Sequence, residues 1–215
     1  MSDPTSAPAA EHGEAFARHQ AAIADLKSAH LVQLLTPEGE RVEHPEFSFD
    51  AGEGADEDET IRGFYRDMVL TRRIDTEATA LQRHGELGIW AQLLGQEAAQ
   101  IGSGRALRPQ DFVFPTYREH GVAWCRDIDP LRLLGLFRGV DQGGWDPHDG
   151  NFGLYTIVIG AQTLHATGYA MGMQRDGVVG TGDPERDAAV VAYFGDGASS
   201  RIGSTPRHQL TPWSR

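Results

Sequence analysis

The chain has 215 residues, 40% hydrophobic and 23% charged, the profile of a soluble globular protein long enough to bury a sizeable core. Its 31 acidic against 19 basic residues leave a formal net charge of −12, which repels nucleic acid and anionic membrane in the absence of a basic patch, and the sequence has none. No apolar run approaches the roughly 20 residues of a membrane span, Met1 to Glu14 lacks the basic start and apolar run of a secretion signal, and a single cysteine, Cys125, excludes a disulfide framework and a cysteine-based zinc site, so the expectation is a cytoplasmic protein.

Residues 1–16, rich in Ala, Ser, Pro and acid, read as a frayed tail. Scattered helical spacing follows over 17–35. Residues 36–58 carry Pro37, Pro45, Gly39, Gly52, Gly54 and the acidic run that starts at Asp56, and predict an extended arm. Residues 1–58 are therefore set apart from the core. From Thr60 the apolar residues Ile61, Phe64, Met68, Ile74, Ala78 and Leu81 recur at three- and four-residue steps, and Gly85 sits where a C-cap glycine belongs. That spacing predicts a helix over 60–84 with those residues on one face. Next come a small-residue helix over 96–105, a strand at Phe112–Phe114 that Pro115 ends, and helices over 118–126 and 130–138. Gly139 to Gly153 is a glycine-rich loop of a length that in a compact domain is usually functional or disordered.

Tyr155 to Ile159 predicts a β-rich run that meets Gly160, and 161–175 returns to helix. Ala166, Gly168, Ala170 and Gly172 on that helix permit close contact with another helix. After a Gly/Asp-rich turn over 176–187, Ala189 to Phe194 predicts a continuous apolar strand, as in a buried parallel sheet. It runs into Gly195-Asp196-Gly197-Ala198-Ser199-Ser200. Strand, glycine turn and helix start together have the shape of a phosphate site at the carboxyl end of a sheet strand. From Arg201 the pattern breaks: RIGSTPRHQLTPWSR has three arginines, no acid and no periodicity, and Pro206 falls where a helix should run. Residues 201–215 are expected to be foreign to the fold, the end of a frameshifted or prematurely terminated version of a longer protein, and to lie irregular at the surface.

Four short motifs carry the chemistry. The carboxylate of Asp196, just past a strand end, can ligate Mg²⁺, and Gly195 and Gly197 let backbone N–H groups approach a diphosphate, although Asp-Gly is also an ordinary turn. In Thr116-Tyr117-Arg118-Glu119-His120-Gly121 the arginine offers a planar fork for phosphate oxygens and the tyrosine a hydroxyl donor; a surface arginine and a core tyrosine would read the same. Gly95-Gln96-Glu97-Ala98 is either a polar site or a helix start. Ile157-Val158-Ile159-Gly160-Ala161-Gln162 is either a site or a plain buried strand and turn.

The segments LLGQEAAQIG, DFVFPTYREHGV, LYTIVIGAQTLHATGYAMG and AAVVAYFGDGASS, in this order and at these separations, resemble the alpha subunit of the thiamine-diphosphate-dependent first component of 2-oxo acid dehydrogenase complexes, of pyruvate or branched-chain type and actinobacterial-like. The resemblance covers about residues 60–200. It implies an α/β thiamine-diphosphate-binding fold, a parallel sheet flanked by helices, here incomplete at the C-terminus: a partial domain over 59–200. It also implies oxidative decarboxylation of a 2-oxo acid such as pyruvate or 2-oxoisovalerate, with acyl transfer to a lipoyl group.

By that resemblance thiamine diphosphate is held by Thr116, Tyr117, Arg118, Ile157, Val158, Ile159, Gly195, Asp196, Gly197 and Ala198. Ile159 would prop the cofactor in its bent form. Asp196 is the first Mg²⁺ ligand, and Ile89 and Trp90 wall the substrate pocket. His165 reads as a packed helix histidine. The implied partners are a beta subunit, in an α₂β₂ heterotetramer, and a lipoyl-bearing dihydrolipoyl acyltransferase. The glutamate that activates the cofactor would belong to the beta subunit, so this chain supplies no catalytic residue. The family's downstream Asn that completes the Mg²⁺ shell has no counterpart from Arg201 onward. Three readings follow: an enzyme subunit, a non-catalytic truncated product of that subunit, and an unrelated α/β nucleotide binder using Gly195 to Ser200.

Overall fold

The computed structural model describes residues 32–52, 54–141 and 144–202. The chain divides into two units, 1–57 and 58–215. In the first unit, the start of the segment predicted as an extended arm closes a small hairpin, and the described residues from 43 to 56 have no helix or strand. Leu35 and Arg41 form an antiparallel bridge. Gly39, at a φ of 89°, makes the turn between them. The Thr36 N–H donates to the Glu40 carbonyl at 2.8 Å and the Val42 N–H to the Leu34 carbonyl at 3.0 Å. The tail, and the helical spacing read over 17–35 as far as residue 31, lie outside the described residues; at the end of that stretch Leu34 and Leu35 belong to the hairpin and not to a helix.

The second unit opens with α1, Glu57–Arg83. Gly85 ends it at a φ of 79°, with the Glu86 N–H reaching back to the Leu81 carbonyl at 2.9 Å, as a Schellman cap requires. The buried face differs from the expected apolar stripe. It consists of Gly63, Asp67, Thr71, Asp75 and Ala78, while Ile61, Tyr65 and Val69 are exposed. Burial of two carboxylates is tolerable because each is paired: Asp67 accepts from Arg105 Nε at 2.7 Å, and Asp75 accepts from Trp90 Nε1 at 2.8 Å.

Beyond it lie α2 (Glu97–Ala106), β1 (Phe112–Phe114), α3 (His120–Cys125), α4 (Pro130–Arg138), α5 (Ala161–Arg175), β2 (Val190–Ala192) and α6 (Asp196–Ile202). β1 and β2 pair in parallel, Phe112 opposite Val190 and Phe114 opposite Ala192. On the other edge of β1, Val113 bridges Phe152. The two-residue period of a strand sets the packing: Phe112 and Phe114 meet Tyr169 of α5, at centroid distances of 4.3 and 5.6 Å. Val113 points the other way, into a core with Val122, Leu133, Trp145 and Phe152. A second cluster joins Ala78, Leu87, Trp90 and Phe137, and Tyr155 packs against both. Gly104 lets α2 close on α3, since a Cβ there would meet Cys125 Cβ and Sγ at 3.0 Å.

The parallel sheet flanked by helices is thus present in small form. Two strand expectations change. Tyr155–Ile159 is irregular, not β. The ladder beside β1 stops at the Gly153 N–H bond to the Val113 carbonyl, 2.8 Å, and the chain then turns Tyr155 inward. β2 is shorter than 189–194 and half-buried, because β1 is its one strand neighbour among the described residues. The helix expected from 118 starts at His120, because the Glu119 carboxylate folds back on Thr116, accepting from its N–H and Oγ1 at 2.6 Å each. α6 runs two residues past Ser200, to Ile202; the rest of the expected foreign tail lies outside the described residues.

One side chain that sequence reading passed over holds the loops together. Arg126 is buried and donates to four backbone carbonyls: Gly150 at 2.7 Å, and Arg108, Pro109 and Asp111 at 2.9 Å each. Replacing Arg126 with Met keeps the stem and removes every donor. Urea denaturation of that variant should show a loss of about 3 kcal/mol, since charged-donor bonds vanish and carbonyls are left orphaned; a loss below about 1 kcal/mol would mean that water replaces the guanidinium freely.

Candidate functional site

β1 and β2 run parallel, so the segments leaving their carboxyl ends emerge on the same side. Pro115–Glu119 follows β1 and Phe194–Ala198 follows β2. The start of α5 joins them, where Gly160 takes a φ of 87° at the N-cap with no side-chain cap. Gln162 Nε2 ties this helix start to the end of β2 by donating to the Tyr193 carbonyl at 2.8 Å. Together these segments wall a cleft of about 280 Å³, lined by Gln96, Thr116, Tyr117, Arg118, Glu119, Thr156, Ile159, Gly160, Gln162, Phe194, Gly195, Gly197 and Ala198. That volume lies just below the range of about 300–1,000 Å³ of small-molecule sites.

Seven of the residues named from sequence meet here: Thr116, Tyr117, Arg118, Ile159, Gly195, Gly197 and Ala198. Arg118 stands over the Tyr117 ring, 5.7 Å from its centroid, and its Nη1 donates to the Gln92 carbonyl. Added Cβ atoms on Gly195 and Gly197 would meet nothing within 4 Å, so their backbone is open to a ligand. Gln162 is buried, and its Oε1 has no partner among the described residues.

Other residues named from sequence do not line the cleft. Ile157 and Val158 are 66% and 69% exposed. Ile89 is exposed, whereas Trp90 is buried in the second core cluster, stacked on His120 at 4.1 Å. Asp196 is exposed at the first turn of α6. Among the described residues no three His, Cys, Asp or Glu side chains stand together as a metal site. His165, read as packed, is exposed on α5.

Gln96, Glu119, Thr156, Gly160, Gln162 and Phe194 were not named as site residues. All six sit inside the four quoted segments, so membership of a segment is the available signal.

Electrostatics around the cleft are set by burial and by the Arg72–Glu97 ion pair. Desolvation lowers the His120 imidazole to about 4, and the nearby Arg118 charge adds to this, against the opposing bond to the Ala91 carbonyl. Burial raises the Tyr155 phenol well above its usual value. The bond from Arg72 holds the Glu97 carboxyl below the usual glutamate range. A larger hollow of about 510 Å³ lies elsewhere, against Asp67, Arg105 and Cys125. Its Asp67–Arg105 pair is self-satisfied, and burial raises the Cys125 thiol to about 11, which keeps it un-ionised at neutral pH.

This arrangement defines an α/β protein that presents a polar, glycine-edged half-cleft at the carboxyl ends of parallel strands. Residues 65–204 match the family model of the dehydrogenase E1 component, and the chain belongs to that family. It is 40% identical over 169 residues to the 3-methyl-2-oxobutanoate dehydrogenase subunit alpha of Mycobacterium tuberculosis, covering 79% of this chain and 42% of that protein. It is 36% identical over 151 residues to the pyruvate dehydrogenase E1 component subunit alpha of Bacillus subtilis, covering 67% of this chain and 37% of that protein. With the Bacillus cereus protein of the same name it shares 33% over 180 residues. The chain spans about two fifths of the length of these relatives.

The depressed His120 has a consequence for stability. In the unfolded chain a histidine takes up its proton near pH 6.5; in the fold it stays neutral down to about 4. Its contribution is therefore complete above about pH 6.5 and is lost as pH falls towards 4, on the order of 3 kcal/mol in all. Denaturation midpoints measured across that window should fall for the natural chain, and His120→Phe should lack this part of the slope. An unchanged slope in His120→Phe would assign the acid sensitivity to other groups.

Proposed function

We propose that this chain forms the alpha-subunit side of a thiamine-diphosphate site in a 2-oxo acid dehydrogenase first component. The observation that carries the reading is the convergence of Thr116, Tyr117, Arg118, Ile159, Gly195, Gly197 and Ala198 on one cleft, in a chain of the E1 family. The cofactor, when bound, supplies an electron sink for loss of CO₂ from a 2-oxo acid. This chain's own residues bind and orient. Arg118 and Tyr117 offer charge and a hydroxyl to the diphosphate, the open backbone at Gly195 and Gly197 lets N–H groups approach it, and Ile159 gives the apolar prop.

The residues fit the organic cofactor better than its metal. The unpartnered Oε1 of Gln162 and the glycine backbone both leave room for polar ligand atoms. Mg²⁺ prefers near-octahedral oxygen coordination. Asp196, the carboxylate the resemblance names for it, is exposed outside the cleft lining, the Glu119 carboxylate in the lining is taken up by Thr116, and among the described residues no three His, Cys, Asp or Glu side chains stand together.

In this reading the substrate is a small 2-oxo acid, pyruvate or 3-methyl-2-oxobutanoate. The partners are a beta subunit, in an α₂β₂ assembly, and a lipoyl-bearing acyltransferase. The location is cytoplasmic. Among the described residues no helix is long and apolar enough to cross a membrane.

Two measurements test the reading. Calorimetry of the chain with thiamine diphosphate and Mg²⁺ should show weak binding alone; micromolar affinity without a beta subunit would contradict the half-site. With a purified beta subunit, Arg118→Ala should cost about 1.5–3 kcal/mol of cofactor affinity, the worth of a bond to a charged group. Unchanged affinity would remove Arg118 from the site. Assay of the same assembly with both 2-oxo acids identifies the substrate.

A further inference from the structure

We propose that His120 is a positioning residue that locks the two loops behind the cleft, residues 88–95 and 153–160, to one another. The proposal builds on the reading above only in its ligand measurement. His120 is 4% exposed, and both ring nitrogens are engaged. Nε2 lies 2.9 Å from the Ala91 carbonyl, and Nδ1 lies 2.9 Å from the Tyr155 hydroxyl. A carbonyl can only accept, so Nε2 carries the proton. A neutral ring then leaves Nδ1 as an acceptor, and the Tyr155 hydroxyl donates to it. The ring is held flat between neighbours, stacked on Trp90 at 4.1 Å and 19°, and edge-on to Phe137 at 5.7 Å.

Each end of this bridge leads directly to a cleft wall. Ala91 precedes Gln92, whose carbonyl accepts from Arg118. Tyr155 precedes Thr156, Ile159 and Gly160, all of which line the cleft. Neither loop has regular structure at these positions. Among the described residues no other hydrogen bond joins the two. The imidazole therefore sets the distance between the segment that orients the Arg118 guanidinium and the segment that carries the Ile159 prop. His120 itself does not line the cleft, so its effect on a ligand runs through these two walls.

The test uses the full chain and three readouts. Tyr155→Phe removes one oxygen and keeps the ring. Amide hydrogen exchange followed by mass spectrometry should speed up by about threefold or more, the worth of one lost internal bond, in peptides from both 154–160 and 88–95, with α1 and α5 unchanged. Acceleration confined to 154–160 would overturn the proposal. His120→Phe keeps the stacking ring and should give the same two-loop pattern. Should that variant fail to fold, Tyr155→Phe decides alone. Nitrogen NMR should find the His120 proton on Nε2; a proton on Nδ1 with Nε2 bare would overturn the assignment. Finally, Tyr155→Phe with the beta subunit should bind thiamine diphosphate about threefold or more weakly than the natural chain. Natural-strength binding in that variant would show that the lock does not reach the cleft. Failure of the natural chain itself to bind would sink the cofactor reading, while the exchange pattern and the tautomer still decide the lock.

Discussion

The carboxylate of Asp75 is the anchor on which the site side of the molecule depends. It sits buried on α1, and its Oδ1 accepts from Trp90 Nε1 at 2.8 Å and from the Leu93 N–H at 3.1 Å. A desolvated carboxylate must be met by donors, and here the donors come from a loop with no ladder or helix of its own. Satisfying Asp75 therefore pins residues 90–93 against α1. Trp90, held by its indole N–H, becomes the plate on which His120 stacks, and His120 in turn reaches Ala91 and Tyr155. A single buried acid thus sets the height of a loop, the plane of an imidazole and, through them, the walls of the cleft.

A second constraint is the parallel pairing of β1 with β2. Parallel strands deliver their carboxyl ends to the same edge of the sheet, so motifs about eighty residues apart in sequence arrive side by side. The supports beneath the two strands are of two kinds, polar and apolar. Asp111 illustrates the first: it accepts from the Arg108 N–H and the Ala189 N–H at 2.8 Å each, at the foot of both strands. Phe112, Phe114 and Tyr169 illustrate the second, clamping α5 to the sheet. Loops built from paired polar groups are rigid only while every pair is made, which is why Arg126, serving four carbonyls, matters more than its place outside every motif suggests.

Where local rules suffice, the elements were legible from sequence. Asp129 before Pro130 and Gly139 after Arg138 bracket α4 as cap rules require, with Asp129 accepting from the Leu131 N–H. Helix 161–175 and strand Phe112–Phe114, which Pro115 ends, stand within the bounds read from the sequence. On α1 the length was readable and the buried face was not. Hydropathy selects Ile61 and Phe64, but the face that packs carries Thr71 and the carboxylates of Asp67 and Asp75, and burial of the two carboxylates depends on Arg105, Trp90 and Leu93 from other segments. Ile157 to Ile159 fails for the converse reason. Its β-branched residues favour a strand, yet among the described residues no partner strand reaches them, and they stand at the surface.

The order and separation of four short motifs carried the resemblance to the family, and that resemblance named seven residues that line the cleft, because the order of motifs along a chain is a property of the sequence alone. Only the tertiary structure decided which named residues share a wall. It brought Ile159 and Gly197 into the cleft, left Val158 and Asp196 exposed outside its lining, and sank Trp90 into the core. It also disclosed His120, Arg126 and Gln162 as bridges. Their roles lie in distances to backbone carbonyls and hydroxyls from other segments, and no spacing rule within one segment encodes a distance between two.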